Sequence, residues 1–235
     1  MNSKLTIKSL HKEFNTKEGS IIAINDISFD IKEGEIVAIV GPSGCGKSTL
    51  LNILAGLERQ DSGTFSFDND NPKIAYMLQT DALLPWKSVL DNATLGLEIR
   101  KELTNEAQER VKKLLKEYGL KDFIYKKASS LSGGMKQRVA LIRSLAIKPD
   151  ILLLDEPFCA LDYCTRVTIE KDVHKIIKES NTTAIIITHD IEEALNMSDR
   201  IIVLTSRPSE VKSSYEPSAS QYKMIYEKIW EDLNE

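Results

Sequence analysis

Four scarcities bound this chain of 235 residues before any motif is read. Cysteine is rare: Cys45, Cys159 and Cys164 are too few, and odd in number, for a disulfide framework, so a reducing compartment is expected. Histidine is as rare. His11, His174 and His189 stand far apart, with no metal-ligand spacing among them or the cysteines, and no structural metal is expected. Long apolar runs are missing too: none approaches the ~18 residues of a membrane span. The opening Met-Asn-Ser-Lys-Leu-Thr-Ile-Lys lacks the apolar core of a signal peptide, so a cytoplasmic protein is expected. Nor is there surplus positive charge. Lys and Arg total 31 against 35 Asp and Glu, a net charge of −4, which offers no field for nucleic acid and no polybasic membrane patch. The 42% apolar content suffices for a real core in one large or two small domains.

What is present begins at residues 41–48, Gly-Pro-Ser-Gly-Cys-Gly-Lys-Ser, directly after the apolar run Ile36-Val37-Ala38-Ile39-Val40. This is G-x-x-x-x-G-K-S between a strand and a helix, a phosphate cradle, and it sets the ligand class as a nucleoside di- or triphosphate. Gly41, Pro42, Ser43, Gly44, Cys45, Gly46, Lys47, Ser48 and Thr49 are the candidate cradle residues. The glycines let backbone N–H groups face one centre, where the following helix adds its positive end. Lys47 brings a full charge to the outer phosphates, and Ser48 a hydroxyl for Mg²⁺. Cys45, near that helix N-terminus, is expected to be an acidified, alkylatable thiol that bound nucleotide protects.

Along the chain, residues 5–31 read as antiparallel strands, with Ile27, Phe29 and Ile31 alternating with polar neighbours. Residues 36–40 read as a strand covered on both faces. Helices are expected after the cradle, over 104–118, over 134–147 before Pro149, and around Val167, Val173, Ile176 and Ile177. Further strands are expected at Phe65 and Phe67, 151–154, 183–188 and 201–204. This strand–helix alternation argues for an α/β fold with a parallel sheet. Residues 79–147 interrupt it as an inserted helical subdomain within a core of 1–78 and 148–210. Residues 206–220 read as a loop before a last helix in 220–235, whose Tyr222, Ile225, Tyr226, Ile229, Trp230 and Leu233 form a core-facing stripe.

Four apolar runs end in polar residues: Gly41, Gln79, the pair Asp155-Glu156, and His189. If the runs are parallel strands, all four positions fall on the carboxyl edge of the sheet, where open α/β sheets bind ligands. Asp155 can hold Mg²⁺ opposite Ser48. Glu156 can orient or deprotonate an attacking water. The neutral amide of Gln79 suits a touch on both Mg²⁺ and water, and His189 can donate to a γ-phosphate. A second anion-binding helix start stands at Leu131-Ser132-Gly133-Gly134-Met135, with Ser132 as N-cap and two bare glycines.

Walker A at 41–48, Gln79, LSGGM at 131–135, LLLDEP at 152–157, Ala-Leu-Asp at 160–162 and Thr-His-Asp at 188–190 occur in that order. The set resembles the nucleotide-binding subunit of ATP-binding cassette (ABC) transporters over nearly the whole chain. The resemblance implies a P-loop NTPase fold: a RecA-like, mainly parallel mixed sheet, an N-terminal antiparallel β subdomain and the inserted helical subdomain. It implies ATP and Mg²⁺ as cofactors and a head-to-tail homodimer. In that dimer Ser132, Gly133 and Gly134 of one protomer cover the ATP held by the other's Walker A, Asp162 lies in the loop linking the two sites, and Phe14 stacks on adenine. Met135, where many members carry Gln, and Cys159, where Ser is common, depart from the pattern without removing a phosphate-contacting group.

Asp-Ala-Leu-Leu-Pro-Trp after Gln79 resembles the nitrate, taurine and aliphatic-sulfonate importer branch, which includes importers of pyrimidine thiamine precursors. Leu161-Asp162 with Thr165-Arg166, and Ser206-Arg207-Pro208, point the same way. That branch implies a separate membrane permease and an external solute-binding protein, with the ATPase peripheral on the inner face of the membrane. Residues 79–100 would receive the permease, through Leu83, Leu84, Pro85 and Trp86. The rival is an ABC-type scaffold that uses ATP only to dimerise; Glu156 argues against it. A DNA-repair ATPase would need a long coiled coil where only residues 49–130 lie, and a P-loop kinase leaves LSGG and His189 without a reason.

Overall fold

The structure, a computed structural model, describes residues 3–17, 19–159 and 163–234. β1 (Ser3–Thr16) and β2 (Gly19–Lys32) pair antiparallel, with Ile7 opposite Phe29 and Phe14 opposite Ile21. β3 (Ile36–Val40) is buried at every position and runs through the phosphate-cradle loop into α1 (Lys47–Leu54). β4 (Ser62–Phe67) returns to the free side of β1, so a three-stranded antiparallel sheet of order β2-β1-β4 stands apart from the parallel one.

β5 (Ile74–Met77) leads into the helical stretch: α2 (Val89–Ile99), α3 (Asn105–Glu117) and α4 (Gly133–Ala146). Each of these helices starts on a side-chain cap, Ser88, Thr104 and Ser132 respectively, which satisfies otherwise orphaned N–H groups. Their apolar faces, including Val89, Ala93, Val111, Leu115, Val139 and Ile142, pack together. The chain then adds β6 (Ile151–Asp155), α5 (Tyr163–Glu179), β7 (Thr183–Ile187), α6 (Ile191–Met197), β8 (Arg200–Leu204), β9 (Val211–Tyr215) and α7 (Tyr222–Asn234).

The second sheet has the order β5-β6-β7-β3-β8-β9, parallel throughout except for β8 against β9. Its strands are apolar on both faces because both are covered. Val37 and Ile39 of β3 face α1 and the antiparallel sheet, whereas Ala38 and Val40 face α6 and α7. Leu152 and Leu154 of β6 face the helical stretch, and Ile151 and Leu153 face the α1 side. The carboxyl ends of β5, β6, β7 and β3 therefore open on one edge, as the four polar termini imply.

Two expectations are corrected. Residues 206–220 are not all loop: Val211–Tyr215 pairs antiparallel with β8 as an edge strand. Its Val-Lys-Ser-Ser-Tyr sequence is polar because one edge faces water. The stripe of α7 also buries less than expected. Ile225 and Ile229 are buried, with Tyr222, Tyr226 and Leu233 packed alongside, but Trp230 is 55% exposed. At 3.6 residues per turn, Trp230 sits roughly 90° around the helix from the buried centre of that stripe.

Candidate functional site

The cradle loop folds tightly between β3 and α1. Gly44 has φ 74° and Gly46 has φ 118°, both in the left-handed region. A Cβ at Gly46 would also lie 2.8 Å from the Ala23 carbonyl oxygen of β2, so only glycine fits there. Lys47 Nζ is buried and donates to the carbonyls of Gly41 (2.8 Å) and Pro42 (3.0 Å). Cys45 departs from the sequence expectation. Its side chain is 1% exposed and packs with the α1-side core, so the folded protein shields the thiol from alkylation without any nucleotide.

Asp155 ends β6 and faces Ser48 in the first turn of α1. Ser48 Oγ donates to Asp155 Oδ1 at 3.2 Å, and the Tyr76 hydroxyl donates to Oδ2 at 3.2 Å. Burial pushes the Asp155 carboxyl above its usual range, the Ser48 and Tyr76 hydrogen bonds pull it down, Glu156 raises it and Lys47 lowers it. Tyr76 is held protonated above its ordinary value by burial and by the Asp155 charge. Sequence reasoning read Tyr76 only as part of an apolar run. The signal was register: Tyr76 pairs with Leu153, and alternation puts Leu153 and Asp155 on one face of β6.

Glu156 leaves β6 with φ 46°, its N–H donating to Ile187 O at 2.9 Å, and so swings off the strand. Its Oε2 accepts from Gln79 Nε2 at 3.1 Å and lies 3.4 Å from His189 Nδ1. Three strand ends thus deliver Gln79, Glu156 and His189 to one point. The residue after His189 is firmly fixed. Asp190 caps α6 through the N–H groups of Glu192 (2.9 Å) and Glu193 (3.2 Å) and takes Arg166 Nη1 at 2.8 Å.

Ser43, Gly44, Gly46, Lys47, Ser48, Thr49, Gln79, Glu156 and His189 line one cavity of about 590 Å³. Backbone N–H groups, a lysine, a hydroxyl and a carboxylate converge there, a set that can take a polyphosphate and position a water. Other expected residues lie elsewhere. Gly41, Pro42 and Cys45 form the back of the loop. Phe14, half-buried on β1, does not line the cavity; its ring packs on the core under Lys12 Nζ, 5.0 Å from the centroid. Ser132 and Gly133 are exposed at the start of α4, with Gly134 half-buried beside them, and none lines the cavity. Asp162 lies outside the described residues.

The segment after Gln79 is fixed from beneath. Asn92, fully buried, accepts from Leu84 N (2.8 Å) and donates to Leu84 O (3.0 Å). Arg143 donates to the carbonyls of Ala82 and Asp81, each at 2.8 Å. Leu83, partly buried, packs on the helical core, while Trp86 stays 68% exposed.

Comparison with known proteins agrees with this geometry. Residues 24–159 match the ABC transporter family. The chain is 42% identical over 217 residues to the taurine import ATP-binding protein TauB of Jannaschia sp., covering 90% of this chain and 81% of that protein. It is 39% identical over 217 residues to the nitrate transport protein NasD of Klebsiella oxytoca, covering 89% and 83%. The dimeric post-hydrolysis structure of the ATP-binding cassette MJ0796, bound to ADP and Pi, superposes with a TM-score of 0.78 at 33% identity, over 92% of this chain and 99% of that one.

Proposed function

The chain belongs to the ABC transporter family of ATP-hydrolysing cassettes, and from that premise we propose that it powers a membrane importer for nitrate, taurine, an aliphatic sulfonate or a related small solute. One observation carries the catalytic half of this reading: Lys47, Ser48, Gln79, Glu156 and His189 surround a single cavity. The names of relatives about 40% identical over most of the chain support the transport half.

Gly41 to Thr49 cradle the phosphates of ATP, and the adenine reaches outside that cavity to the half-buried Phe14 on β1. Ser48 and Asp155 would hold Mg²⁺. Hydroxyl and carboxylate oxygens 3.2 Å apart are the hard donors this ion prefers, and a desolvated carboxylate gains most from a cation. When bound, Mg²⁺ neutralises charge on the β- and γ-phosphates. Glu156 orients the attacking water and takes its proton as the water oxygen bonds to the γ-phosphorus. The bond to the ADP oxygen breaks, leaving ADP and phosphate. Lys47 faces the negative charge on the outer phosphates, His189 donates to the γ-phosphate, and Gln79 holds Glu156 and the water in register.

The site is completed by a second copy, whose Ser132, Gly133 and Gly134 cover the ATP, with Asp162 linking the two sites. Exposure of the LSGG helix start, away from the cavity of its own protomer, supports this arrangement. Closure exists only with ATP bound, so the nucleotide selects the closed dimer. It moves the helical stretch 79–147 and, through residues 79–100, the permease on the cytoplasmic face of the membrane. An external solute-binding protein supplies the cargo. Among the described residues no helix is long and apolar enough to cross a membrane.

The test is co-purification with the permease, followed by ATP-dependent uptake into vesicles across a panel of nitrate, taurine, alkanesulfonates and pyrimidine thiamine precursors. Uptake of one of them that requires Glu156 supports the reading. A chain that binds ATP but partners only soluble proteins overturns transport in favour of a scaffold.

A further inference from the structure

The segment Ser206-Arg207-Pro208 has no part in the chemistry above, yet its arginine reaches the cradle. Arg207 Nη2 and Nε donate to the Gly44 carbonyl at 2.8 and 3.1 Å. The guanidinium has no carboxylate partner among the described residues, so this fork on a backbone oxygen is not a by-product of an ion pair. At the other end of the same peptide unit, the Cys45 N–H donates to Pro42 O at 3.2 Å. Both polar ends of the 44–45 peptide are therefore committed.

The alternative orientation of that peptide is close at hand. Gly44 sits at φ 74°, and a glycine on the N-terminal side of a peptide lets the plane rotate with little steric cost. Rotation would take the Gly44 carbonyl off Arg207 and point it at the Pro42 carbonyl oxygen, where the Cys45 N–H now points, in the loop whose Gly44 and Gly46 line the cavity. Two carbonyl oxygens set face to face repel, so the loop would shift, and with it the Pro42 oxygen that Lys47 Nζ also uses. That shift would spoil the convergence of the first N–H groups of α1, which have no partners within the helix. A planar, always-charged fork suits this task better than an ammonium, because two donors on one oxygen also define a direction.

The arm carrying Arg207 is itself anchored. Between β8 and β9, Thr205 N donates to Glu210 O at 3.0 Å and Thr205 Oγ1 to Pro208 O at 3.3 Å. Ser209, fully buried, donates through Oγ to Ala23 O at 3.0 Å, and Asn25 N donates to Ser209 O at 2.8 Å. Ala23 is also the residue whose carbonyl crowds Gly46. The loop after β8, strand β2 and the cradle thus form one hydrogen-bonded block.

We propose that Arg207 is a positioning residue: it locks the 44–45 peptide in the orientation that accepts phosphates, and so sets affinity for the polyphosphate of the nucleotide. The inference rests on the reading that this cavity takes ATP. The experiment compares the full chain with Arg207→Ala and Arg207→Lys, measuring KM and kcat for ATP and the inhibition constant of tripolyphosphate, which has no base or sugar. In Arg207→Ala both KM and that inhibition constant are expected to rise about 10-fold, as for loss of a charge-assisted hydrogen bond, while kcat at saturating ATP falls far less. Arg207→Lys is expected to recover only part of the loss.

Unchanged KM in Arg207→Ala overturns the proposal. So does a loss confined to ATP and absent for tripolyphosphate, which would make Arg207 a base or sugar contact. Full recovery in Arg207→Lys also overturns it, because charge alone would then suffice. Should Arg207→Ala unfold, the partial loss in Arg207→Lys, read against its unchanged thermal midpoint, decides the matter. Failure of the unsubstituted chain to bind ATP or tripolyphosphate would instead strike the proposed function.

Discussion

The Tyr76 hydroxyl holds one oxygen of Asp155, Oδ2, at 3.2 Å while Ser48 holds the other, so both carboxylate oxygens are committed inside a half-buried pocket. A carboxylate fixed at both oxygens presents its lone pairs in one direction, as outer-shell partners of metal ligands do. Tyr76→Phe removes that restraint and leaves shape and burial intact. The Mg²⁺ concentration for half-maximal ATPase activity is expected to rise about 10-fold, with nucleotide affinity in EDTA unchanged. A Mg²⁺ requirement identical to that of the unsubstituted protein would remove Tyr76 from the site.

Much of this centre could be read from local pattern. Gly41, Gln79, Asp155, Glu156 and His189 each close an apolar run, and parallel strands must bring such ends to one edge. What the pattern hid depends on pairing across the sheet. Tyr76 acts through its register with Leu153 on β6, and Arg207 through a loop pinned to Ala23 on β2. Neither relation leaves a local trace in the chain. The polar edge strand Val211–Tyr215 and the inward thiol of Cys45 were missed for the same reason: their roles are set by what packs on them.

Glu156 is the only carboxylate in the cavity that also touches Gln79 and His189 among the described residues. Glu156→Gln keeps its size and its hydrogen bond to the Gln79 side, but cannot take a proton. Loss of a general base costs roughly 10²–10⁴ in rate, so kcat should fall at least ~100-fold with ATP binding retained. Single-turnover hydrolysis beside nucleotide binding separates the two, and full turnover in this variant would dismiss Glu156 as base.

Leu83 and Trp86 are three residues apart and face opposite ways, one into the helical core and one into water. Leu83→Ala is expected to destabilise the isolated chain by about 2 kcal/mol, the low end for a packed leucine. Trp86→Ala is expected to leave its thermal midpoint and its solution ATPase unchanged, yet to weaken co-purification with the permease and uncouple uptake from hydrolysis. Normal coupling without Trp86 would place the docking surface elsewhere.

A buried acid on α6 sets a pH dependence. Glu193 on α6 is 4% exposed, and its Oε1 finds no partner among the described residues. Burial pushes its carboxyl up to about 8. The Thr188 hydroxyl and Arg166 lower it, and Glu170 and Asp190 raise it. The folded chain therefore holds a proton here that the unfolded chain releases near pH 4.5. The stability contributed by the protonated acid is fully present below that pH and is lost as pH rises toward 8. Glu193→Gln is neutral at every pH. Its thermal midpoint should nearly match the parent at pH 5 and exceed it at pH 8.5, and any change in Glu170, raised mainly by its own burial, adds in the same direction. Taking the difference between the two proteins cancels the remaining titrations. A difference that stays flat from pH 5 to 8.5 would mean that Glu193 is already ionised in the fold.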